Sequence, residues 1–253
     1  MKKLQCIVVG TGRCGTVYMA RLLTSLGLTC GHECCFDWRG LDYAKARLEG
    51  AISFQTSECS QYTLKDGECH SIEKWLDHDS IVAESSYMAS PFLRSECLKD
   101  SKIIHVVRNP VKVVNSFVNY LNYFQNRHPS LIQPAKRYET FIYYHCPKLY
   151  EDMTPEERAA LYVVAWNKMI EDNLVGKDFI VHRVEDSVKE VVEFLGVEEP
   201  QSVFNDFKAN TFAKPCKQFT LDSLPNGKIK NDFIEMGRKY GYSMGLESSH
   251  LLS

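Results

Sequence analysis

The sequence predicts an α/β fold, a three-layer sandwich with a central, mostly parallel sheet, and three observations carry this prediction. Short apolar runs rich in β-branched residues recur along the chain, as is typical of strands that are covered on both faces. Segments with apolar residues at helical spacing separate these runs, and strands that alternate with helices indicate a parallel sheet. A glycine-rich loop joins the first apolar run to the first helical pattern, which makes the amino-terminal unit P-loop-like.

The individual elements follow from the same patterns. Residues 4–9 are apolar and end at Gly10, which predicts a strand, and residues 16–26 predict a helix that Gly27 ends. The segment 28–33 is expected to end a second strand, which lies beside the first. Further strands are predicted at residues 80–83, 102–107 and 178–182, and further helices at residues 91–98, 111–123, 155–174, 187–195 and 231–240.

Residues 124–154 interrupt this alternation. They carry prolines at positions 129, 134 and 147 and a surplus of tyrosine, histidine and lysine. Loops of this length are functional covers or disordered segments, and the aromatic content favours an ordered lid or excursion over the sheet edge. No internal repeat is visible, so a single domain over residues 1–253 is expected.

The composition is that of an ordinary globular chain and argues against a polyanionic partner. The 253 residues are 44% hydrophobic and carry 30 basic against 32 acidic side chains, a net charge of −2. A balanced charge argues against nucleic acid as a partner, so any anion site has to be local. We expect a cytoplasmic protein, because neither a signal peptide nor a membrane span of about 20 apolar residues is visible.

The ten cysteines are expected to be mostly small buried apolar residues in a reducing compartment. Cys30, Cys34 and Cys35 lie beside His32, but no second pair with the spacing of zinc ligands follows them. No metal site is therefore expected.

The glycine loop, residues 10–16, has the position of a phosphate cradle between a strand and a helix. The lysine that an ATP-binding P-loop requires is absent, and Thr16 stands in its place. The third glycine of a dinucleotide-binding loop is absent as well. What the loop carries is the fixed charge of Arg13 and the hydroxyl of Thr16, which both suit an anion.

A second segment, residues 102–116, combines a buried strand with polar residues at its carboxyl end. The strand runs up to Arg108, Pro110 is placed to open a helix, and Ser116 follows Arg108 by eight residues. Ligands of open α/β sheets bind at the carboxyl ends of strands. A guanidinium and a hydroxyl are therefore expected to face an anion there.

These segments resemble the sulfotransferase superfamily, whose members use 3′-phosphoadenosine 5′-phosphosulfate (PAPS). GTGRCGTVYMARLL is similar to the family's 5′-phosphosulfate loop, and IIHVVRNPVKVVNS to its 3′-phosphate segment. FIVHRVED is similar to a later strand of the family, with Val184 where many members have tyrosine. LPNG and YGY resemble the closing segment of bacterial-type members, so the resemblance extends over about residues 4–243.

The resemblance implies the residues that bind PAPS and its product 3′-phosphoadenosine 5′-phosphate (PAP), with no metal required. Arg108 and Ser116 would bind the 3′-phosphate, and Lys214 and Lys217 would close over it. The 5′-phosphosulfate would be bound by the loop residues Gly12, Arg13, Cys14, Gly15, Thr16 and Val17. Cys14 stands where serine is common, and because a thiol is a weak donor, we expect its backbone N–H to matter.

Sulfuryl transfer to an alcohol needs a base opposite Arg13. Related enzymes place a glutamate or histidine at the position of Glu33 and His32, and Glu33 is the first choice because a carboxyl in a partly dry cleft acquires a useful pKa. Glu84, Ser85 and Ser86 follow the strand at residues 80–83, and they are expected to contact the acceptor or the transferred group.

The predicted function is sulfuryl transfer from PAPS to a hydroxyl of a carbohydrate or small-molecule acceptor. Two alternatives stay open at this point. One is a P-loop kinase that uses ATP, and the other is a nucleotide-binding protein without catalytic activity.

Overall fold

The structure is a computed structural model that describes residues 3–51, 61–65, 68–72, 80–125, 137–198 and 218–244. Its strands are β1 (Cys6–Val9), β2 (Cys30–His32), β3 (Gln61–Lys65), β4 (Glu68–Ile72), β5 (Ala83–Ser85), β6 (Lys102–Val107) and β7 (Phe179–Arg183). Its α-helices are α1 (Thr16–Ser25), α2 (Leu41–Leu48), α3 (Pro110–Asn115), α4 (Arg137–His145), α5 (Pro155–Asn173), α6 (Lys189–Leu195) and α7 (Lys228–Lys239).

A five-stranded, all-parallel sheet flanked by helices forms the centre of the fold, in the order β2-β5-β1-β6-β7. The predicted α/β class, a three-layer sandwich with a mostly parallel sheet, is confirmed. Strands β3 and β4 pair antiparallel in a separate two-stranded sheet. Because the five central strands are parallel, their carboxyl ends share one edge, which is where polar residues can collect.

Two strand predictions are wrong in detail. β2 does not lie beside β1, because β5 pairs with both: Cys6 and Cys30 each oppose Ala83. The strand expected at residues 80–83 begins only at Ala83 and continues through Glu84 and Ser85. Polar residues in its second half obscured the strand, yet all three of its residues are buried.

Two helix predictions also differ from the structure. The predicted helix 91–98 is a pair of 3₁₀-helices, Tyr87–Phe92 and Glu96–Leu98, with Pro91 inside the first. The predicted helix 111–123 begins at Pro110 as α3 and continues as a π-helix over Ser116–Tyr120. Proline lacks the backbone donor that a regular helix needs in its interior, and it is tolerated in the first turn.

The chain divides into two compact units, Met1–Val107 with Met169–Thr211, and Arg108–Lys168 with Phe212–Ser253. In the first unit, β1 is buried along its whole length and packs with the apolar face of α1, whose buried side chains include Met19, Leu22 and Leu23. This core fixes the strand, loop and helix at the amino terminus. The single domain over residues 1–253 stays a prediction.

The second unit has an aromatic core. The ring centroids of Phe117 and Tyr162 are 5.2 Å apart, and those of Tyr162 and Trp166 are also 5.2 Å apart. Part of the predicted lid, residues 124–154, is helical as α4, and its buried Glu139 accepts a hydrogen bond of 2.7 Å from the Phe124 backbone N–H. The role of this segment as a lid stays a prediction.

Candidate active site

The glycine loop after β1 is tightly folded. Arg13 adopts a left-handed backbone with φ of 56°, and Gly15, which precedes α1, has φ of 114°. A Cβ atom on Gly15 would lie 2.6 Å from the Cγ2 atom of Val184, the residue after β7. The close approach and the backbone angle both require glycine at this position.

The amino terminus of α1 opens onto this loop. Gly15 is the N-cap, and among the described residues no side chain caps the helix and no acidic residue occupies its first turn. The first N–H groups of a helix lack partners within it and attract anions. The loop, the helix end and the charge of Arg13 therefore fit an anionic group such as a phosphosulfate.

His32 and Glu33 lie at the carboxyl end of β2, next to the first residue of α1. The Nε2 atom of His32 is within 3.3 Å of the Thr16 hydroxyl and 3.9 Å from the Oε1 atom of Glu33. The two side chains are 14% and 18% exposed. The structure therefore brings Thr16, His32 and Glu33 together, three residues that the sequence had singled out.

Burial and neighbouring charges separate the proton affinities of these two side chains. Burial, followed by the charges of Arg13 and Arg21, lowers the pKa of His32 to about 4. Burial, followed by the charges of Glu84 and Asp37, raises the pKa of Glu33 to about 8, and Arg13 acts against this rise. His32 is consequently neutral at pH 7, whereas Glu33 titrates close to neutrality.

The carboxyl end of β5 holds backbone on both sides of the site. The Ser85 hydroxyl donates to the carbonyl oxygen of Thr16 at 2.7 Å, and the Ser86 hydroxyl donates to that of Phe36 at 2.7 Å. Glu84 accepts hydrogen bonds from the backbone N–H groups of Cys35 and Phe36. The expected contacts of Glu84, Ser85 and Ser86 with the acceptor or the transferred group stay a prediction, and all three residues are 0% exposed.

Arg47 and Asp37 are two charged residues of this region that the sequence did not reveal. Arg47 is fully buried on α2 and donates from Nη1 to the carbonyl oxygen of Cys34 at 2.6 Å. Asp37 is 4% exposed and accepts a hydrogen bond of 2.7 Å from the Arg39 backbone N–H. Their partners lie within short loops, so hydrophobic periodicity does not reveal them.

The second predicted anion segment belongs to the other unit. Arg108 directly follows β6 and is half-buried, as is Ser116 at the start of the π-helix. The Asn109 side chain caps α3 by accepting the Val111 N–H at 3.0 Å, which confirms a helix opened by Pro110. Lys214 and Lys217 lie outside the described residues.

The remaining expectations concern metals, membranes and cysteines. Within the described ranges, no group of three or more His, Cys, Asp or Glu side chains is arranged to hold a metal ion. No helix among those residues is long and apolar enough to span a membrane. The thiols of Cys6, Cys14, Cys30, Cys35, Cys97 and Cys146 are buried as expected, but Cys34 is disulfide-bonded, which the sequence did not suggest.

A comparison with models of protein families identifies the family of this chain. The model of the family described as "Sulfotransferase domain" matches residues 5–211, which is most of the chain. The matched region runs from β1 past α6 and includes both segments predicted to bind anions. No curated protein matches the sequence significantly.

Proposed function

The chain belongs to the sulfotransferase domain family, and from this premise we propose that it transfers a sulfuryl group from PAPS to a hydroxyl of a carbohydrate or small-molecule acceptor. The observation that carries the proposal is the meeting of Thr16, His32 and Glu33 beside a glycine loop that carries Arg13. These residues provide an anion cradle and a titratable base within one unit.

The residues present fit the nucleotide donor. The uncapped end of α1 and the loop residues Gly12, Arg13, Cys14, Gly15, Thr16 and Val17 would bind the 5′-phosphosulfate through backbone N–H groups, a guanidinium and a hydroxyl. Arg108 and Ser116 would bind the 3′-phosphate.

PAPS supplies a sulfuryl group attached to a phosphate leaving group. Glu33 would take the proton of the acceptor hydroxyl as its oxygen receives the sulfuryl group, and Arg13 would stabilise the negative charge left on the phosphate of PAP. Glu33 is the better base of the two candidates, since its pKa of about 8 makes the carboxylate far more basic than His32, whose pKa is about 4. His32 stays neutral and orients the Thr16 hydroxyl.

The disulfide at Cys34 bears on the compartment of the protein. It argues against the predicted cytoplasmic location, because disulfides are rare in reducing compartments. A count of reactive thiols in protein isolated under alkylating conditions shows whether Cys34 is disulfide-bonded or reduced in the cell.

The transfer itself is tested with PAPS labelled in the sulfuryl group and a panel of glycans and small hydroxyl compounds. We expect label in at least one acceptor and release of PAP. Arg13→Ala should lose both the transfer of label and the release of PAP. Arg238→Ala, which removes an exposed arginine of α7, should keep both activities. PAP binding without transfer to any acceptor or to water would favour the non-catalytic alternative.

A further inference from the structure

Glu84 is a fully buried carboxyl on β5, the strand that lies between β1 and β2 in the sheet. We propose that Glu84 is a positioning residue that fixes the turn 33–36, and with it the carboxylate of Glu33, for proton transfer. This inference rests on the proposed function and adds a residue that contacts neither the nucleotide nor the acceptor.

The turn 33–36 is held by the end of β5. The Oε1 atom of Glu84 accepts hydrogen bonds from the backbone N–H groups of Cys35 at 2.9 Å and Phe36 at 3.3 Å. The N–H of Glu33 donates to the carbonyl oxygen of Ser85 at 3.2 Å. Loss of the Glu84 carboxyl would leave two buried backbone donors without this acceptor.

The conformation of Glu33 needs such support. Its φ of 57° lies in the left-handed region, which a residue with a Cβ atom adopts only when its surroundings fix it. Two of the three residues that follow Glu33 in the turn, Cys35 and Phe36, donate backbone hydrogen bonds to Glu84. The bonds to Glu84 therefore hold the backbone angle that aims the Glu33 side chain.

The second oxygen of Glu84 explains a glycine in β2. Gly31 pairs with Glu84 in the sheet, and a Cβ atom on Gly31 would lie 2.5 Å from the Oε2 atom of Glu84. Oε2 has no hydrogen-bond partner among the described residues. The carboxyl thus occupies a space that β2 leaves open, and its unpartnered oxygen disfavours permanent ionisation in this dry position.

The charge of Glu84 also acts on Glu33. Burial raises the pKa of Glu84 to about 7, against its backbone hydrogen bonds and the charge of Arg47 on α2. Among the described residues, the charged or titratable groups that face Glu33 are Glu84 from β5, Asp37 and His32 from the chain around β2, and Arg13 from the glycine loop. Replacing Glu84 by a neutral residue should therefore lower the pKa of Glu33.

The test compares Glu84→Gln and Glu84→Ala in the full chain. The measured rate is that of PAP release when the sulfuryl group of PAPS is transferred to water, and the affinity for PAP is a second readout. Glutamine keeps an oxygen for the two N–H groups, so the rate should stay within about tenfold of the wild-type rate. The rising limb, the part of the pH–rate profile in which the rate increases with pH, should move to lower pH. Alanine removes that acceptor, so the rate should fall about 100-fold through misplacement of the base. PAP affinity should change less than about threefold in both variants.

Glu139→Gln is the matched control. Glu139 is also a buried glutamate that accepts a backbone N–H, but it lies on α4 in the other unit, so its replacement should leave the rising limb where it is.

The decisive readout is the pH limb of Glu84→Gln, which stays measurable even if Glu84→Ala does not fold. A limb that does not move, or a folded Glu84→Ala with the wild-type rate, overturns the inference while the proposed function stands. Wild-type protein that neither binds PAP nor releases it from PAPS overturns the proposed function, and this inference with it.

Discussion

The carboxyl ends of β1, β2 and β5 differ from the Arg108 to Ser116 segment in how their polar groups are held. In the first region, Glu84, Ser85 and Ser86 are fully buried and bonded to backbone, and Thr16 is 5% exposed. In the second, Arg108 and Ser116 are half-buried and belong to a short local stretch. The first arrangement tunes proton affinity through burial, whereas the second is proposed to bind a ligand through a charge and a hydroxyl.

This difference predicts two kinds of mutational effect. Substitutions in the buried region should change the rate and its pH dependence, because the groups there set one another's pKa. Substitutions at Arg108 and Ser116 should change nucleotide affinity, because they would remove the hydrogen bonds proposed to the 3′-phosphate.

The largest effect is expected for Glu33→Gln. Loss of a general base lowers a rate by about 10² to 10⁴-fold, so PAP release from PAPS should fall about 1,000-fold while PAP affinity changes little. Single-turnover kinetics and equilibrium titration measure the two quantities. His32→Ala is the comparison variant, and a larger rate loss in it than in Glu33→Gln would make His32 the base.

Arg108→Ala should weaken PAP binding by about 10 to 100-fold, because a hydrogen bond to a charged group contributes about 1.5–3 kcal/mol. AMP, which lacks the 3′-phosphate, should bind the variant and the wild type equally. Calorimetric titration with both nucleotides measures this. An equal loss of affinity for AMP and PAP would contradict the assignment of Arg108 to the 3′-phosphate.

Gly31→Ala should disturb the buried region without touching any proposed ligand contact. The added methyl would collide with the Glu84 carboxyl and with Cys34, whose Cβ would be 2.8 Å away, and overpacking costs about 1–3 kcal/mol. We expect a Tm about 2–10 °C lower and a rate about tenfold lower. Gly227→Ala is the control, since nothing lies within 4 Å of its added Cβ. An equal effect of Gly227→Ala would contradict a collision with Glu84 and Cys34 as the cause of the effect of Gly31→Ala.

The smallest effect concerns stability against pH. Glu33 and Glu84 have pKa values of about 8 and 7 in the folded protein, above the ordinary 4.5, so the folded state holds more protons and loses stability as pH rises through these values. The lowered pKa of His32 acts only below about pH 6.5. Calorimetry should show Tm falling by a few degrees from about pH 6.5 to 8.5, with a shallower decline in Glu33→Gln, and a rising Tm would contradict the pKa order.

The sequence predicts the local parts of this structure well. β1, the glycine loop and α1 depend on residues that are neighbours in the chain, and β6 is found at its predicted bounds. The proximity of Thr16 and His32 is predictable only from the parallel arrangement of the strands. Parallel strands have their carboxyl ends at one edge of the sheet, which brings the glycine loop after β1 and the end of β2 to the same edge.

The parts that depend on distant partners were not predictable. Glu84 and Ser85 are polar residues within a strand because their partners, Cys35 and Thr16, are 49 and 69 positions away. The prediction that β2 lies beside β1 is wrong because hydrophobic patterning carries no information on strand order. α4 was missed because its buried face includes Glu139, whose partner Phe124 lies outside the helix.

The central claim, a site for a bis-phosphorylated adenosine, is tested most directly by thermal unfolding with PAP, with AMP and with ATP plus Mg²⁺. At about 100 times its Kd a ligand adds about 2.7 kcal/mol of stability, which raises Tm by about 5–10 °C for a protein of this size. The account predicts this rise with PAP at a concentration where AMP and ATP with Mg²⁺ have little effect. A rise with ATP and Mg²⁺ alone would indicate a kinase, and no rise with PAP would contradict the account.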